Sequence, residues 1–467
     1  MNKKKKCSGL PFRYLWTWDH STNWDLNAHG QLDWGCNNVY LKSKETYLLD
    51  YKKLIDYASS LNITGIVIWG FLRDVHGGVE YGKEISKYAR SKDISIFPGI
   101  GTSYYGGFYY EGNHSYNVSN WLKKHPHLAM VNKEGNKAEA LCPTHPDNIK
   151  WLKEGVEWLF ETFKLDGANL ENGDGLVCYC NRCQKIRSEL KTDDPDYFLD
   201  QYSSYLPILE CLNKKRYRWV TYATYSGFPS STLRSPFFAE TFPENAICQW
   251  TLTRMIREVP LSLAAYLKNG VPSEVYENPR WPKGTFPPTK RNAGLVHQGS
   301  QCYYRDNKGF TRYSLEIASI KEACLRAYQA GFVGISIQGE VSAYSPVWDL
   351  NYRAFSYFAD KPEASLYDFA SEGLSKWVGG SDLTIFFMNL LARHELGKLT
   401  RKDFNRLLGV VYDFQKEVYK GDKYGEFRRW AWLLNYISKG NEELIIIDWK
   451  KHGWYMPHFK DAFLLMP

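Results

Sequence analysis

The sequence has no long apolar run and lacks the short motifs of several common protein classes. No stretch of about 18 apolar residues occurs, which is roughly the length that spans a bilayer. The N-terminal KKKKCSGLPF lacks the apolar run of roughly 7–15 residues that a signal peptide needs. The patterns GxGxxG, GxxxxGK[ST] and HExxH are absent. We therefore expect a soluble protein with no membrane partner and no standard phosphate-binding loop, and its localisation stays unknown.

The net positive charge is small outside one tract. The formal net charge is +8, and the four lysines at positions 3–6 supply half of it. The sequence shows no RNA-binding motif and no arginine-rich helix. We therefore expect no nucleic-acid partner, although a mildly positive cleft would suit an anionic small substrate.

Cysteine is too sparse for a disulfide framework, with ten residues in 467. Three of them are nevertheless clustered, because Cys178, Cys180 and Cys183 follow a C-x-C-x-x-C pattern. The pattern supplies three soft ligands, and Cys142, Cys211 or a histidine would have to be the fourth ligand of a closed zinc site. Two interpretations stay open: a structural zinc ion, or reduced thiols with or without a local disulfide.

The chain is long and rich in aromatic residues. Its 467 residues exceed the usual size of one domain but suit a barrel of roughly 250 residues or more with an appendage. Aromatic residues make up 16% of the chain, with 17 tryptophans and 34 tyrosines. Such rings fill protein cores, and they can also stack on the apolar C–H faces of sugar rings.

Short apolar runs bounded by glycine and proline alternate with segments of helical spacing. The predicted strands are FRYLWTW (12–18), TGIVIWGF (64–71), SIFPGIG (95–101), LDGANLE (165–171), RWVTYATYS (218–226), NAICQWTL (245–252), GLVHQGSQC (294–302) and VGISIQGE (333–340). Eight strands alternating with helices favour a (β/α)8 TIM barrel over an open sheet. Only helical patterns follow residue 350. We therefore predict an α/β fold with a catalytic barrel over residues 1–355 and a helical C-terminal region over residues 356–467.

The residues that follow each strand are the candidates for a site, because chemistry in such barrels lies at the carboxyl ends of the strands. Carboxylates, arginines and aromatic residues are concentrated there. The candidate catalytic carboxylates are Asp19, Glu171, Asp174 and Glu340. The candidate substrate-binding residues are His20, Asn23, Trp24, Arg73, Tyr104, Tyr109, Asn172, Arg254, Tyr303 and Arg305. Glycosidic cleavage needs this combination, since an acid must protonate the leaving oxygen while a base or nucleophile acts on the other face of the sugar.

Two segments resemble the TIM-barrel glycoside hydrolase superfamily. In LCPTHPDNIKWLKEGVEWLFETFKLDGANLENGD (141–174), a Pro-x-His-Pro turn opens the helix that leads into an Asp-Gly strand. WDLNYRAFSYFADKPEASLYDFASEGLSKWVGG (348–380) resembles the segment by which such barrels pass into a helical tail. The resemblance implies that Glu171 points into the mouth of the barrel at the end of the fourth strand, with Asp174 just beyond it.

A finer resemblance concerns one aspartate and one histidine. An aspartate after the first strand and a histidine ahead of the fourth are similar to the layout of the inverting sialidases built on this barrel, and these positions are Asp19 and His145 here. The resemblance implies that His145 is a base near neutral pH and that a carboxyl in the mouth is the acid. Arg73, Arg254 and Arg305 are then candidates to bind the carboxylate of sialic acid. The alternative interpretation is that His145 caps a helix and Asp19 bonds the loop backbone.

Further assignments stay open. A retaining enzyme would use Glu171 as acid/base and Glu340 as nucleophile, although retaining barrels of this kind carry the nucleophile on the seventh strand and Glu340 follows the eighth. Substrate-assisted cleavage of an N-acetyl sugar would use adjacent acids, which Asn172 and Gly173 separate here. A non-catalytic carbohydrate-binding barrel would need only the aromatic residues. We expect a carbohydrate partner and no catalytic cofactor in every case, and leave a homodimer open.

Overall fold

Eight parallel strands form a closed barrel in the computed structural model. The structure describes residues 9–19, 42–171, 177–191, 195, 205–214, 219–223, 240–252, 286–296, 305–306, 309–310, 316–339, 346–438 and 441. The barrel strands are β1 (Phe12–Trp18), β2 (Gly65–Trp69), β3 (Ser95–Gly101), β6 (Gly167–Glu171), β7 (Trp219–Ala223), β8 (Ile247–Thr251), β9 (Asn292–Val296) and β12 (Gly334–Gln338). Each pairs in parallel with its neighbours, and β1 closes the ring by pairing with both β2 and β12. The predicted (β/α)8 fold is therefore confirmed.

The predicted strands overlap all eight barrel strands, and several of the described boundaries differ by one or two residues. Strand β9 begins at Asn292, two residues before the predicted start. Asparagine is more typical of loops than of strands, but Asn292 is buried here and its side-chain amide makes hydrogen bonds. It accepts from Trp250 Nε1 (2.8 Å) and donates to Thr289 O (2.7 Å). Asn292 can therefore lie in a buried strand, because Trp250 and Thr289 supply its hydrogen bonds.

Two short antiparallel hairpins were not predicted. One joins β4 (Ala129–Val131) to β5 (Lys137–Leu141), and the other joins β10 (Arg305–Asp306) to β11 (Gly309–Phe310). Strands β4, β10 and β11 have two or three residues, too few for an alternating pattern to show, and β5 (KAEAL) lacks the β-branched and aromatic residues typical of strands.

The side chains of the barrel strands alternate between its interior and the surrounding helices. Inside, one apolar cluster contains Tyr14, Trp16 and Trp18 of β1 together with Val67 and Trp69 of β2. Leu15 of β1 and Ile66 and Ile68 of β2, which alternate with them in sequence, belong instead to the larger cluster that the helices share. This parity, fixed by the period of two of a strand, decides which strand-end side chains face the mouth.

The helices surround the barrel and continue beyond it. Their bounds are α1 (Lys44–Ser60), α2 (Gly78–Ser91), α3 (Val118–Lys124), α4 (Pro146–Phe163), α5 (Asn181–Glu189), α6 (Leu206–Lys214), α7 (Ile317–Gln329), α8 (Pro346–Asp360), α9 (Leu366–Asp368), α10 (Ser375–Val378), α11 (Ser381–Glu395), α12 (Arg401–Tyr419) and α13 (Tyr424–Ser438). A π-helical segment, Phe369–Leu374, joins α9 to α10. Among the described residues, no helix is both long and apolar enough to cross a membrane.

The C-terminal helices are tied to the barrel by a buried carboxylate. Asp349 of α8 accepts from Tyr57 Oη of α1 (2.7 Å) and from Trp377 Nε1 of α10 (2.5 Å). Trp430 Nε1 of α13 donates to Val378 O of α10 (2.8 Å), which links α13 to the helix that carries Trp377. Helix α8 spans residue 355, where the boundary between barrel and helical region was predicted, and that boundary stays a prediction.

Helix α4 directs the chain into β6. His145 is its N-cap, Pro146 its first residue, and Asp147 supplies a negative charge to the first turn. Gly155 lets the Phe108 ring approach, because a Cβ at this position would lie 2.3 Å from ring atoms. The helix ends at Phe163, and the positive φ of its C-cap residue, Lys164, turns the chain towards the strand that carries Glu171.

Candidate active site

Glu171 is the last residue of β6 and faces the barrel interior. Asn169, two positions earlier, bonds side chains inside the barrel, whereas Ala168 and Leu170 pack against the helices. Strand parity therefore places the Glu171 side chain on the interior side, one layer nearer the carboxyl end. Glu171 is 3% exposed, and its backbone is held by pairing with Gly101 of β3. This is the orientation predicted for Glu171.

A buried polar layer lies directly below Glu171. Asn169 Oδ1 accepts from Trp16 Nε1 (3.3 Å) and Trp69 Nε1 (3.2 Å), and Asn169 Nδ2 donates to Gln249 Oε1 (2.9 Å). Gln249 Nε2 donates onward to Ser336 Oγ (2.9 Å). Because five strands contribute to this network, it fixes the side chains that form the floor beneath the mouth.

An aromatic wall stands beside this floor, formed by Trp18, Trp69, Tyr105 and Tyr110. The Trp18 ring centroid lies 5.6 Å from that of Trp69, 6.0 Å from that of Tyr105 and 6.2 Å from that of Tyr110. Gly99 makes room for the wall, since a Cβ there would lie 2.3 Å from the Trp69 indole. Tyr105 and Tyr110 lie in the loop after β3. Trp18 and Trp69 are the last residues of β1 and β2, and Trp69 was not among the predicted site residues. Their inward orientation could have been read from the alternation along β1 and β2.

Asp19 lies one residue beyond inward-facing Trp18 and turns to the other side of the sheet. Its backbone N donates to Trp69 O (2.7 Å), and its carboxylate accepts from Arg73 Nε. His76 Nδ1 lies 3.4 Å from the same carboxylate oxygen. Asp19, Arg73 and His76 are each at most 1% exposed. We call these three residues the Asp19 cluster.

The surroundings of the Asp19 cluster belong to α1 and to the loop after β3. The Arg73 guanidinium also pairs with Glu111 and lies 4.6 Å from the Tyr110 ring centroid. The His76 ring stacks on Tyr47 of α1 at 4.3 Å. Burial raises the pKa of the Tyr47 hydroxyl well above its usual value, and the Tyr51 hydroxyl and the Asp19 charge add to the effect. His76 and Glu111 were not among the predicted site residues.

Tyr104 and Tyr109, both predicted to bind substrate, lie in the loop after β3. The Tyr109 hydroxyl donates to Asp74 Oδ1, and its ring stacks on His114 at 4.5 Å. Burial, with the Asp74 hydrogen bond, raises the pKa of Tyr109. Tyr104 is half-buried, with its hydroxyl 3.8 Å from Met130 Sδ.

His145 occupies the start of α4. Its Nδ1 accepts from the backbone N of Asp147 (3.3 Å), and its side chain is 25% exposed. Its ring lies 6.2 Å from that of His127. The structure therefore places His145 in the helix-capping position that the sequence offered as the alternative to a base.

Several predicted site residues lie outside the described residues or are described only in their backbone. For Arg305 the structure gives the backbone of β10. The predicted residues outside the described ranges are His20, Asn23, Trp24, Asn172, Asp174, Arg254, Tyr303 and Glu340.

The three cysteines of the C-x-C-x-x-C pattern come together with Cys142. The Sγ atoms of Cys142, Cys178, Cys180 and Cys183 all lie within 4.8 Å of one another. Hydrogen bonds from Cys178 and Cys183 lower the pKa of the Cys142 thiol, and the hydrogen bond with Cys142 raises the pKa of the Cys178 thiol. Of the three candidates for the fourth position, Cys142 is therefore the residue that joins the group.

Comparison with known proteins gives similarity of fold alone. No protein-family model matches the chain, and no curated protein sequence matches it. One similar structure is a β-N-acetylhexosaminidase from Bacteroides fragilis, with a TM-score of 0.44 and 14% identity over 74% of this chain and 65% of that chain. Another is a GH138 enzyme targeting pectin rhamnogalacturonan II, with a TM-score of 0.46 and 10% identity over 83% of this chain and 43% of that chain. A third is a maltogenic α-amylase from Thermotoga neapolitana, with a TM-score of 0.41 and 12% identity over 75% and 76% of the two chains.

The chain spans less than two thirds of the length of the first two structures. With identities of 14% or less and TM-scores of 0.46 or less, these similarities indicate neither a substrate nor a mechanism for this chain.

Proposed function

We propose that the protein is a glycoside hydrolase acting at the carboxyl end of its barrel, with Glu171 as the proton donor. The observation that carries the proposal is the buried, inward-facing carboxyl of Glu171 at the end of β6. Glycosidic cleavage needs a carboxylic acid at the leaving oxygen. The aromatic wall at the same end supplies the apolar faces on which a sugar ring can stack.

The second carboxylate of the mechanism is proposed from the strand order. Strands β6 and β12 are the fourth and eighth of the barrel, so they lie on opposite sides of the mouth. Glu340 follows β12 by two residues and is the candidate nucleophile of a retaining enzyme. Asp174 is the alternative partner, three residues beyond Glu171. Carboxyl groups about 5–5.5 Å apart would give retention, and groups about 6.5–9.5 Å apart would give inversion.

A finer proposal is an exo-acting inverting sialidase that uses Asp19 and His145. It draws on the sequence resemblance, and two contacts weigh against it. The Asp19 carboxylate is buried against Arg73, and His145 caps α4. Arg254 and Arg305 are the candidates for binding a sialic acid carboxylate, because Arg73 already pairs with Asp19 and Glu111.

The test is a screen of aryl glycosides, including an aryl sialoside, with the wild-type protein and three variants. Glu171→Gln keeps the shape of the side chain and removes its acid. We expect it to lower kcat/KM by roughly 100- to 10,000-fold on the glycoside that the wild type cleaves. Glu161→Gln is the matched control, because Glu161 is exposed on α4, and it should keep wild-type activity. His145→Ala should reduce activity strongly only if the sialidase mechanism holds.

Circular dichroism must show that each variant is folded before its rate is compared. Wild-type activity in Glu171→Gln would refute the role proposed for Glu171. A wild-type protein that binds oligosaccharides but cleaves none of them would identify the barrel as a carbohydrate-binding protein, and the aromatic wall would then be its site.

A further inference from the structure

We propose that Cys142, Cys178, Cys180 and Cys183 form a tetrahedral zinc site that fastens the chain beyond Glu171 to the β4–β5 hairpin. The proposal concerns stability and local order, and it holds whether or not the barrel cleaves glycosides. Each thiol that binds releases its proton to solvent, so no oxidant or reductant is required.

The spacing of the sulfur atoms fits one zinc ion. Cys142 Sγ lies 3.8 Å from Cys180 Sγ and 3.6 Å from Cys183 Sγ. Four thiolates at about 2.3 Å from a tetrahedral zinc would have their sulfurs roughly 3.8 Å apart. A disulfide would need about 2.05 Å, and none of these four cysteines forms a disulfide in the structure. The distances therefore favour a shared ion over paired bonds.

The surroundings of the four thiols favour a structural ion over a catalytic one. Cys142 is 3% exposed, and Cys178 and Cys183 are fully buried. All four ligands are sulfur, and a set of thiolates selects zinc over magnesium or calcium. Because four protein ligands complete the tetrahedron, no coordination position is left for substrate.

The four cysteines come from two separate stretches of chain. Cys142 follows β5 and is held by two backbone contacts, its N donating to Leu128 O (3.0 Å) and its O accepting from Asn148 Nδ2 (3.0 Å). Of the other three, Cys178 and Cys180 precede α5 and Cys183 lies in its first turn, seven to twelve positions after Glu171. One backbone hydrogen bond, from Tyr179 N to Val131 O (2.7 Å), already joins this stretch to β4. An ion would add four bonds to that contact and would anchor the chain just beyond the proposed acid.

The experiment measures metal in the full-length protein purified without added zinc. Elemental analysis should find about one zinc per chain in the wild type. Cys180→Ser removes the half-buried ligand and should lower zinc affinity by more than about tenfold. Cys211→Ser is the matched control, a half-buried cysteine outside the group, and should keep the wild-type zinc content. Removing zinc with a chelator should lower the melting temperature, and adding zinc should restore it.

Several results would overturn the proposal. One is a wild-type protein that contains no metal, or iron instead of zinc. Another is a mass spectrum that shows a disulfide between two of the four cysteines. A third is a Cys180→Ser variant that keeps wild-type zinc affinity. If Cys180→Ser does not fold, the wild-type metal content and the chelator experiment decide alone. Glycosidase activity is not a readout here, so failure of the proposed function leaves the result unchanged.

Discussion

Asp19 and Glu171 are two buried carboxylates at the same end of the barrel, and they face opposite sides of the sheet. Glu171 is the third inward position of β6, above Asn169. Asp19 follows inward-facing Trp18 and turns outward, where Arg73 and His76 hold it. The sequence places both at strand ends, yet only Glu171 faces the barrel interior.

The difference shows that a position at a strand end does not by itself define a catalytic residue. Parity along the strand decides which side the carboxylate faces, and the cost of burial decides what it must bind there. An ion removed from water needs a partner of opposite charge, and Asp19 has one in Arg73. We therefore interpret the Asp19 cluster as a structural element that joins β1 to the loop after β2.

The largest loss of unfolding free energy is expected from Asp19→Ala, and it tests whether Asp19 is structural. Truncation would remove the buried partner of the Arg73 guanidinium but leave its pair with Glu111, so we expect a loss of unfolding free energy of about 3 kcal/mol, the lower end of the range for breaking a buried ion pair. Glu171→Gln, which preserves shape, should change the unfolding free energy much less while affecting catalysis. Chemical denaturation of the two variants measures both values.

Asp56→Ala is the control for removing a carboxylate as such. Asp56 is exposed and pairs with Lys92 at 2.8 Å, so solvent screening should leave the unfolding free energy essentially unchanged. If Asp19→Ala were as mild as this control and abolished catalysis, Asp19 would be a catalytic residue and the comparison would fail.

The fold was largely predictable because the information is local. β1 and β3 match the predicted strands, since runs such as FRYLWTW combine β-branched and aromatic residues with clear boundaries. The site was less predictable, because side-chain contacts depend on residues far apart in sequence. Cys142 lies 36 positions before Cys178, so spacing alone could not choose it over Cys211. The outward turn of Asp19 could have been inferred from the alternation of β1, whereas its pairing with Arg73 could not.

A smaller effect, expected from Gly70→Ala, would sharpen the picture of the Asp19 cluster. Gly70 has a φ of 77°, and a Cβ there would lie 2.5 Å from the Asp19 carboxyl carbon. Backbone strain at such a φ costs about 1–3 kcal/mol for a residue with a side chain, and the contact adds to that cost. Gly135→Ala is the matched control, because its φ is 84° and nothing lies within 4 Å of the added Cβ.

The difference in unfolding free energy between Gly70→Ala and Gly135→Ala isolates the contact with Asp19, since the backbone strain is common to both. Equal losses in the two variants would mean that the Asp19 carboxylate can move aside. The cluster would then be less rigid than its burial suggests.

The smallest expected effect is on the pH dependence of stability, and it comes from His114 in the loop after β3. Burial lowers the pKa of His114, which stacks on Tyr109, and the charge of Asp74 only partly opposes this. The folded state therefore favours the neutral ring, and its contribution to stability is present above the unfolded pKa of about 6.5. This contribution to stability is lost as the pH falls through that value towards the lower folded pKa.

His114→Phe keeps the stacking and removes the titration, so the variant should lose less stability than the wild type between about pH 7.5 and 5. We expect a difference below about 1 kcal/mol, because solvent screens a half-buried ring. An identical pH dependence in both proteins would show instead that the acid sensitivity arises elsewhere, with the Asp19 cluster as the next candidate.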